Sequence, residues 1–436
     1  MPLPNHRPLG ILSLTTLLVS THYGLGFILG TAEQVIALGS VGSLYAVSIG
    51  LGFLALLTLV KFYWHTVEQI WTLLGNCYGA SVKIGVALMS WLSLIGIEAV
   101  QIIAGSAILS IAGFAKLPSM ITLASLFCLL SLLPVERVSQ ILRGVLLFNI
   151  VVLLYALWQL HGFSELELAA IQFLPALHQV DWREGLGVSL PTILLVMIDM
   201  KCQQFIVQAK TVRTACWACV LAAIVLIGFA FLPTAVVMAG QHQGILPKTL
   251  NGKEAIPYLL SWLGGGAHQW QGRLWLLALA IPALGIGSNI LRIQTKTILD
   301  LGIIPYLPRN QVLVAILNVL FALGIALKEG EIVNLILDFY AAYLAAVWIT
   351  FIAYLLAHTK RYIFSQTSVR LALFVSAIAS LLTLGITLFN SNIIVLNSAE
   401  LTIMGMGIGL GGLSLLIVQG FESYWSTSNT QKEAQS

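Results

Sequence analysis

An all-α integral membrane bundle of about twelve spans is the fold class this sequence predicts, and three observations predict it. Of 436 residues, 58% are hydrophobic and only 9% charged, against roughly 25% charged in a soluble domain. Apolar runs of the ~20 residues that cross a bilayer recur along the chain, and the mean hydropathy is +0.95. The third observation is a repeated irregularity: the first and sixth runs both carry glycine, proline or polar residues where a plain membrane helix would not.

In order, the spans fall near residues 10–38, 41–61, 80–113, 117–133, 138–160, 184–208, 214–240, 270–300, 311–327, 331–357, 368–389 and 400–420. Residues 1–9 lack a cleavage pattern after a short apolar core, so the first run is expected to stay a membrane helix. Basic residues set the orientation. With a cytoplasmic N-terminus, inside loops hold Arg7, Lys61, Lys83, Arg137, Arg143, Lys201, Lys210, Arg213, Arg292, Lys296, Arg309, Lys360, Arg361, Arg370 and Lys432. An even span count then makes the tail, 422–436, cytoplasmic as well, and its polarity predicts disorder. A prokaryotic inner or plasma membrane is the expected location. The outer segments 161–182 and 241–269 are long enough for lids, interfacial helices or simple connectors, the second containing amphipathic Ile256–Leu263.

Several function classes are excluded. No loop carries the Lys/Arg cluster of a nucleic-acid surface, and the net charge of +4 belongs to inside loops. No phosphate-binding loop or cofactor motif appears. Cys77, Cys128, Cys202, Cys216 and Cys219 lie in or beside apolar segments with no paired-ligand spacing, so they are expected to pack rather than bind metal. A membrane enzyme is disfavoured because no catalytic constellation recurs at one depth.

The first run, about 30 residues or ~45 Å as one helix, exceeds what a bilayer needs. Within it, Ser20, Thr21, His22 and Tyr23 precede Gly24, Gly26 and Gly30. Either the helix breaks there and lines an enclosed cavity, or it runs on, tilted, with glycines that admit a close neighbour. The sixth run repeats the pattern with Gly185, Gly187 and Pro191 in its outer half, then Asp199 and Lys201. A spacing of five spans is what a five-plus-five inverted repeat predicts, with discontinuous helices one and six meeting at a midplane site. The division is then 1–9, the first repeat 10–160, the second repeat 161–357, two peripheral helices 358–421, and the tail 422–436.

Short motifs add a resemblance. His65-Thr66-Val67-Glu68-Gln69-Ile70-Trp71 with Tyr78-Gly79, the pair Gly30 and Gly39, Arg137-Val138-Ser139-Gln140, Gln204 to Lys210 followed by Ala215, and Thr297-Ile298-Leu299-Asp300 stand in an order that resembles the sodium:solute symporter family over about residues 15–305. The resemblance implies the inverted-repeat transporter fold, without that family's usual extra N-terminal helix. It also marks departures. Leu284 and Gly285 fall where the family places sodium-ligating hydroxyls, and Arg137 falls where it places a carboxylate. A hard cation needs oxygen ligands, so no sodium is expected there; Ser288, one turn on, is the remaining hydroxyl. Gly26 and Phe27 fall where sugar-carrying members place Glu-Gln, which argues against a sugar.

Ionisable groups at membrane depth cost ~2.5–3.5 kcal/mol on insertion scales, so each needs a reason. Glu33 either attracts a cationic solute, takes up a proton or snorkels outward. Glu98, with Gln101 one turn away, is a solute or proton site or an interhelical bond. Asp199 with Lys201 is a site, an inner gate or an orientation anchor. The expected solute-binding set is therefore Tyr23, Gly24, Gly26, Phe27, Glu33, Glu98, Gln101 and Asp199, and the ion-coupling candidates are Ser20, His22, Arg137, Gly285 and Ser288. His22 is named for proton coupling, since imidazole is the side chain suited to exchanging a proton near neutral pH. The function expected is secondary transport of a small organic solute by alternating access, proton-coupled or uncoupled; the alternative is a transporter-like sensor or passive conduit. Oligomeric state is not readable from the sequence.

Overall fold

Backbone in hydrocarbon must bond to itself, so long apolar runs become helices. The computed structural model describes residues 7–66, 68–133, 148–302, 304–389 and 394–433. Among them no strand occurs, only an isolated bridge between Leu9 and Ala209. Nine stretches are long and apolar enough to cross a membrane, accompanied by shorter apolar helices over Ile11–His22, Lys116–Ser131 and Phe148–Gln159.

The chain divides into two units. The first, residues 1–67 and 94–337, opens with α1 (Ile11–His22), α2 (Leu25–Leu38) and α3 (Leu44–His65). Between α2 and α3 the chain turns through a 3-10 segment at Gly39–Ser43, and Gly39 takes φ 60, a conformation that costs a larger residue energy. After α4 (Ile70–Tyr78), which belongs to the second unit, come α5 (Ala80–Ile111), which enters the first unit at Leu94, α6 (Lys116–Ser131) and α7 (Phe148–Gln159). Then follow α8 (Phe163–Leu177), α9 (Trp182–Ile198), α10 (Met200–Val207), α11 (Val212–His242), α12 (Ala255–Leu263), α13 (Trp270–Asp300) and α14 (Pro308–Ala326). α11 packs against α1, α2, α3 and α8, and α13 packs against α6, α12 and α14.

The second unit holds residues 68–93 and 338–436, and takes in most of α15 (Ile332–His358), α16 (Gln366–Phe389) and α17 (Ala399–Glu433). Small residues let its helices approach. Ser376 Oγ lies 2.6 Å from the Ala345 carbonyl oxygen and 2.7 Å from that of Gly407, tying α16 to both neighbours. Gln419 Oε1 accepts from Ser365 N and Ser368 Oγ at the other end of α16.

The expected spans coincide with helices throughout the described residues, and 270–300 does so to the residue. Segments 161–182 and 241–269, expected to be lids, interfacial helices or connectors, contain the helices α8 and α12. One expectation is corrected: the tail expected to be disordered continues α17 to Glu433, since residues from 422 onward include several good helix formers and no proline. Arg137, Arg143 and the Arg137–Gln140 motif lie outside the described residues.

Candidate functional site

The first run does break, inside Ser20–Gly30. α1 ends at His22, Tyr23 and Gly24 leave helical geometry, and α2 starts at Leu25. The sixth also breaks, but not at its glycines or proline. α9 is helical through Gly185, Gly187 and Pro191, and the single non-helical residue is Asp199 (φ −64, ψ 120) before α10. Pro191 cannot donate to the Gly187 carbonyl one turn back, and on either side of that carbonyl Ser189 Oγ donates to Gly185 O and Thr192 Oγ1 to Val188 O. The carboxylate explains the break, because Asp199 Oδ1 accepts from Lys201 N at 2.9 Å and so caps α10.

The two breaks meet. Asp199 Oδ2 lies 3.4 Å from His22 Nε2 and 3.4 Å from Lys201 Nζ, with the His22 and Asp199 side chains 6% and 8% exposed. Phe53 of α3 sets its ring edge-on to His22 at 5.1 Å. Away from the breaks, the start of α1 is tied to the end of α10, Leu9 N donating to Gln208 O and Lys210 N to Leu9 O, and Trp64 Nε1 of α3 donates to Ala209 O. Arg7 lies over the Trp64 ring at 3.7 Å.

Other expected site residues gather around the first break. Tyr23 is fully buried against Phe27 and Phe229, with its hydroxyl unpartnered. Gly24 faces Ile286 of α13, and Gly26 faces Ile336, Val100 and the Gln101 side-chain amide of α5. Gln101 Oε1 is buried without a hydrogen bond. Glu98, wholly buried on α5, has the Gln294 amide of α13 as its polar neighbour and the Cys128 thiol of α6 within electrostatic reach. Neither carboxylate oxygen makes a well-formed hydrogen bond.

Three expected residues are otherwise engaged. Glu33 Oε2 accepts from Ile332 N at 2.7 Å, capping the first residue of α15. Ser20 Oγ donates to Leu17 O within its own helix, and Ser288 Oγ donates to Gly285 O. Gly285 is buried in α13. Sequence reasoning gave Cys202 only a packing role and passed over Gln294. Asp199-x-x-Cys202 places two donors one turn apart, and Gln294 is a lone amide in an apolar run; those were the available signals.

No protein-family model and no curated protein matches the chain. Among solved structures, a Na+-coupled sialic acid symporter in its substrate-bound, outward-open state is similar over 96% of this chain and 90% of that one, with a TM-score of 0.64 and 11% sequence identity. An identity that low establishes a shared fold and not a family. The chain is an integral membrane protein with a transporter fold.

Proposed function

We propose that this protein is a secondary transporter that moves a small organic solute by alternating access, on a five-plus-five inverted repeat whose first and sixth helices are discontinuous. The meeting of the Tyr23–Gly24 break with the Asp199 break carries the reading, because unwound backbone at membrane depth is tolerated where it lines a protein-enclosed path. The similarity to a symporter supports it. Tyr23, Phe27 and Gln101 are the groups proposed to meet the solute: two rings for apolar surface, and an unpartnered hydroxyl and amide oxygen for its polar atoms.

Coupling is proposed to be to protons and not sodium. Around the first break α13 offers Ile286 against Gly24, while the Ser288 hydroxyl is turned onto the Gly285 carbonyl. Asp199 already has Lys201 as its cation. Glu98 is the proposed proton carrier, since a wholly buried carboxylate without a cationic partner is costly to keep charged and releases its proton when a rearrangement wets it.

Proteoliposomes test this. Uptake across a panel of amines, amino acids, organic acids and nucleobases should respond to an imposed pH gradient and ignore replacement of sodium by potassium. Glu98→Gln should abolish gradient-driven accumulation while leaving solute counterflow. Accumulation that requires sodium, or that survives Glu98→Gln, overturns the coupling scheme.

A further inference from the structure

The contact of His22 with Asp199 contains an unmet valence. Thr21 Oγ1 donates its single proton to Leu18 O at 2.8 Å, and His22 Nδ1 lies 3.0 Å from that hydroxyl oxygen and 3.2 Å from the same carbonyl. Both neighbours accept, so Nδ1 carries a ring hydrogen, and in the neutral imidazole Nε2 is then the nitrogen with the lone pair. That lone pair faces a carboxylate oxygen 3.4 Å away. Nε2 is buried and makes no hydrogen bond. The Lys201 ammonium is the only cation at that carboxylate oxygen among the described residues, and it leaves Nε2 without a partner, so a cation seated between ring and carboxylate would serve both.

Cys202 supplies a third donor. One turn beyond Asp199 and wholly buried, its Sγ, the His22 ring nitrogen and an Asp199 oxygen all lie within 4.8 Å of one another. Four-coordinate zinc, with bonds of about 2.0 Å to N or O and 2.3 Å to S, spaces its ligands about 3.3–3.7 Å apart. The His22–Asp199 separation already has that spacing, and the thiol needs to close by no more than about 1.3 Å. The Nδ1–H bonds to Leu18 and Thr21 are the outer contacts that orient a ligating imidazole.

We infer that His22, Asp199 and Cys202 form a binding site for a divalent transition metal of the zinc class, bridging the first helix break to the second. An imidazole, a carboxylate and a thiolate select zinc, cobalt or nickel over calcium or magnesium. Three protein ligands leave the fourth position to water or to a donor atom of a solute. On binding, the Cys202 thiol loses its proton to solvent as the metal–sulfur bond forms, so cation and two anionic ligands are charge-neutral. Lys201 is the competitor: its ammonium, 17% exposed, leaves Asp199 Oδ2 when the metal arrives. The site stands on this geometry and does not require the transport reading.

Cobalt titration of the purified full-length chain in detergent is the test. The wild type should bind one Co2+ with thiolate-to-cobalt charge-transfer absorption in the near ultraviolet, displaced by Zn2+. Cys202→Ser should abolish that absorption, and His22→Gln should weaken binding about 10- to 100-fold. Lys201→Met should tighten it, and Cys77→Ser, which alters an exposed thiol, should behave as wild type. Size-exclusion profiles and helical circular dichroism would show that each variant is folded. A wild type with no saturable cobalt absorption, or a band that persists in Cys202→Ser, overturns the site.

Discussion

Arg292 shows how much one side chain can do at a helix end. An α-helix leaves its last four carbonyls without intrahelical partners. At the end of α6 the Arg292 guanidinium, reaching from α13, donates to Ser131 O at 3.0 Å, Leu130 O at 3.2 Å and Leu133 O at 2.7 Å, while Asn289 Oδ1 holds Nη1. Lysine has three donors on one atom and cannot reproduce this fork. Arg292→Lys should therefore lower the thermal midpoint in detergent, with a loss of about 1.5–3 kcal/mol, and Arg292→Met should lose at least as much. An unchanged midpoint in both variants would show that water caps α6 instead. Sequence reading assigned Arg292 only to an inside loop, because positive-inside bias sees the charge and not the three carbonyls around it. His22 was legible as a titratable group beside a break, but its partner came from 177 residues further along the chain, a pairing no local pattern encodes.

At the scale of elements, the second half of α2 is held by backbone-level contacts. Glu33 caps α15, and Gly252, just before α12, packs so closely that a Cβ there would lie 2.9 Å from Glu33 Cα and 3.0 Å from its carbonyl oxygen. Backbone does not yield as a side-chain tip does, so Gly252→Ala should push the 252–254 turn off α2. Glu33→Gln should keep a weakened cap, whereas Glu33→Ala should cost about 1 kcal/mol or more. Hydrogen exchange at the first turn of α15 reads both: faster exchange at residues 332–335 is expected in Glu33→Ala, and equal protection would remove the cap from the account. Which elements exist was readable from hydrophobic run length, and the first break from its polar and glycine residues. The second break was misplaced onto Gly185, Gly187 and Pro191. Propensity favours those residues as breakers, yet α9 runs through them to Ile198, and the break falls where the Asp199 carboxylate caps a new helix. Glu33 illustrates the opposite gap, since a charge at an outer helix end reads as a solute attractor until its acceptor role to Ile332 is seen.

For the molecule as a whole, the charges outside the spans decide how it responds to acid. Glu329, in the turn before α15, meets Lys116 at the start of α6 with Nζ to Oε2 at 2.5 Å. That hydrogen bond, opposed by partial burial and aided by the charges of Lys116 and Lys253, holds the carboxyl below its ordinary value of 4.5. A folded value below the unfolded one means the pair stabilises the protein fully above about pH 4.5 and loses that contribution as pH falls through the lowered value. Both side chains are substantially exposed, 31% and 47%, so solvent screening limits the contribution to at most about 1 kcal/mol. In a chain of this size that is a shift on the order of 1–2 °C. Thermal midpoints measured from neutral pH down to the acid limit should fall for the wild type in that window, while Glu329→Gln should start slightly lower and show a flatter acid limb. The gap should narrow in 1 M salt, where the screening length is about 3 Å. Identical pH profiles for the two proteins would mean that the pair forms without stabilising the fold.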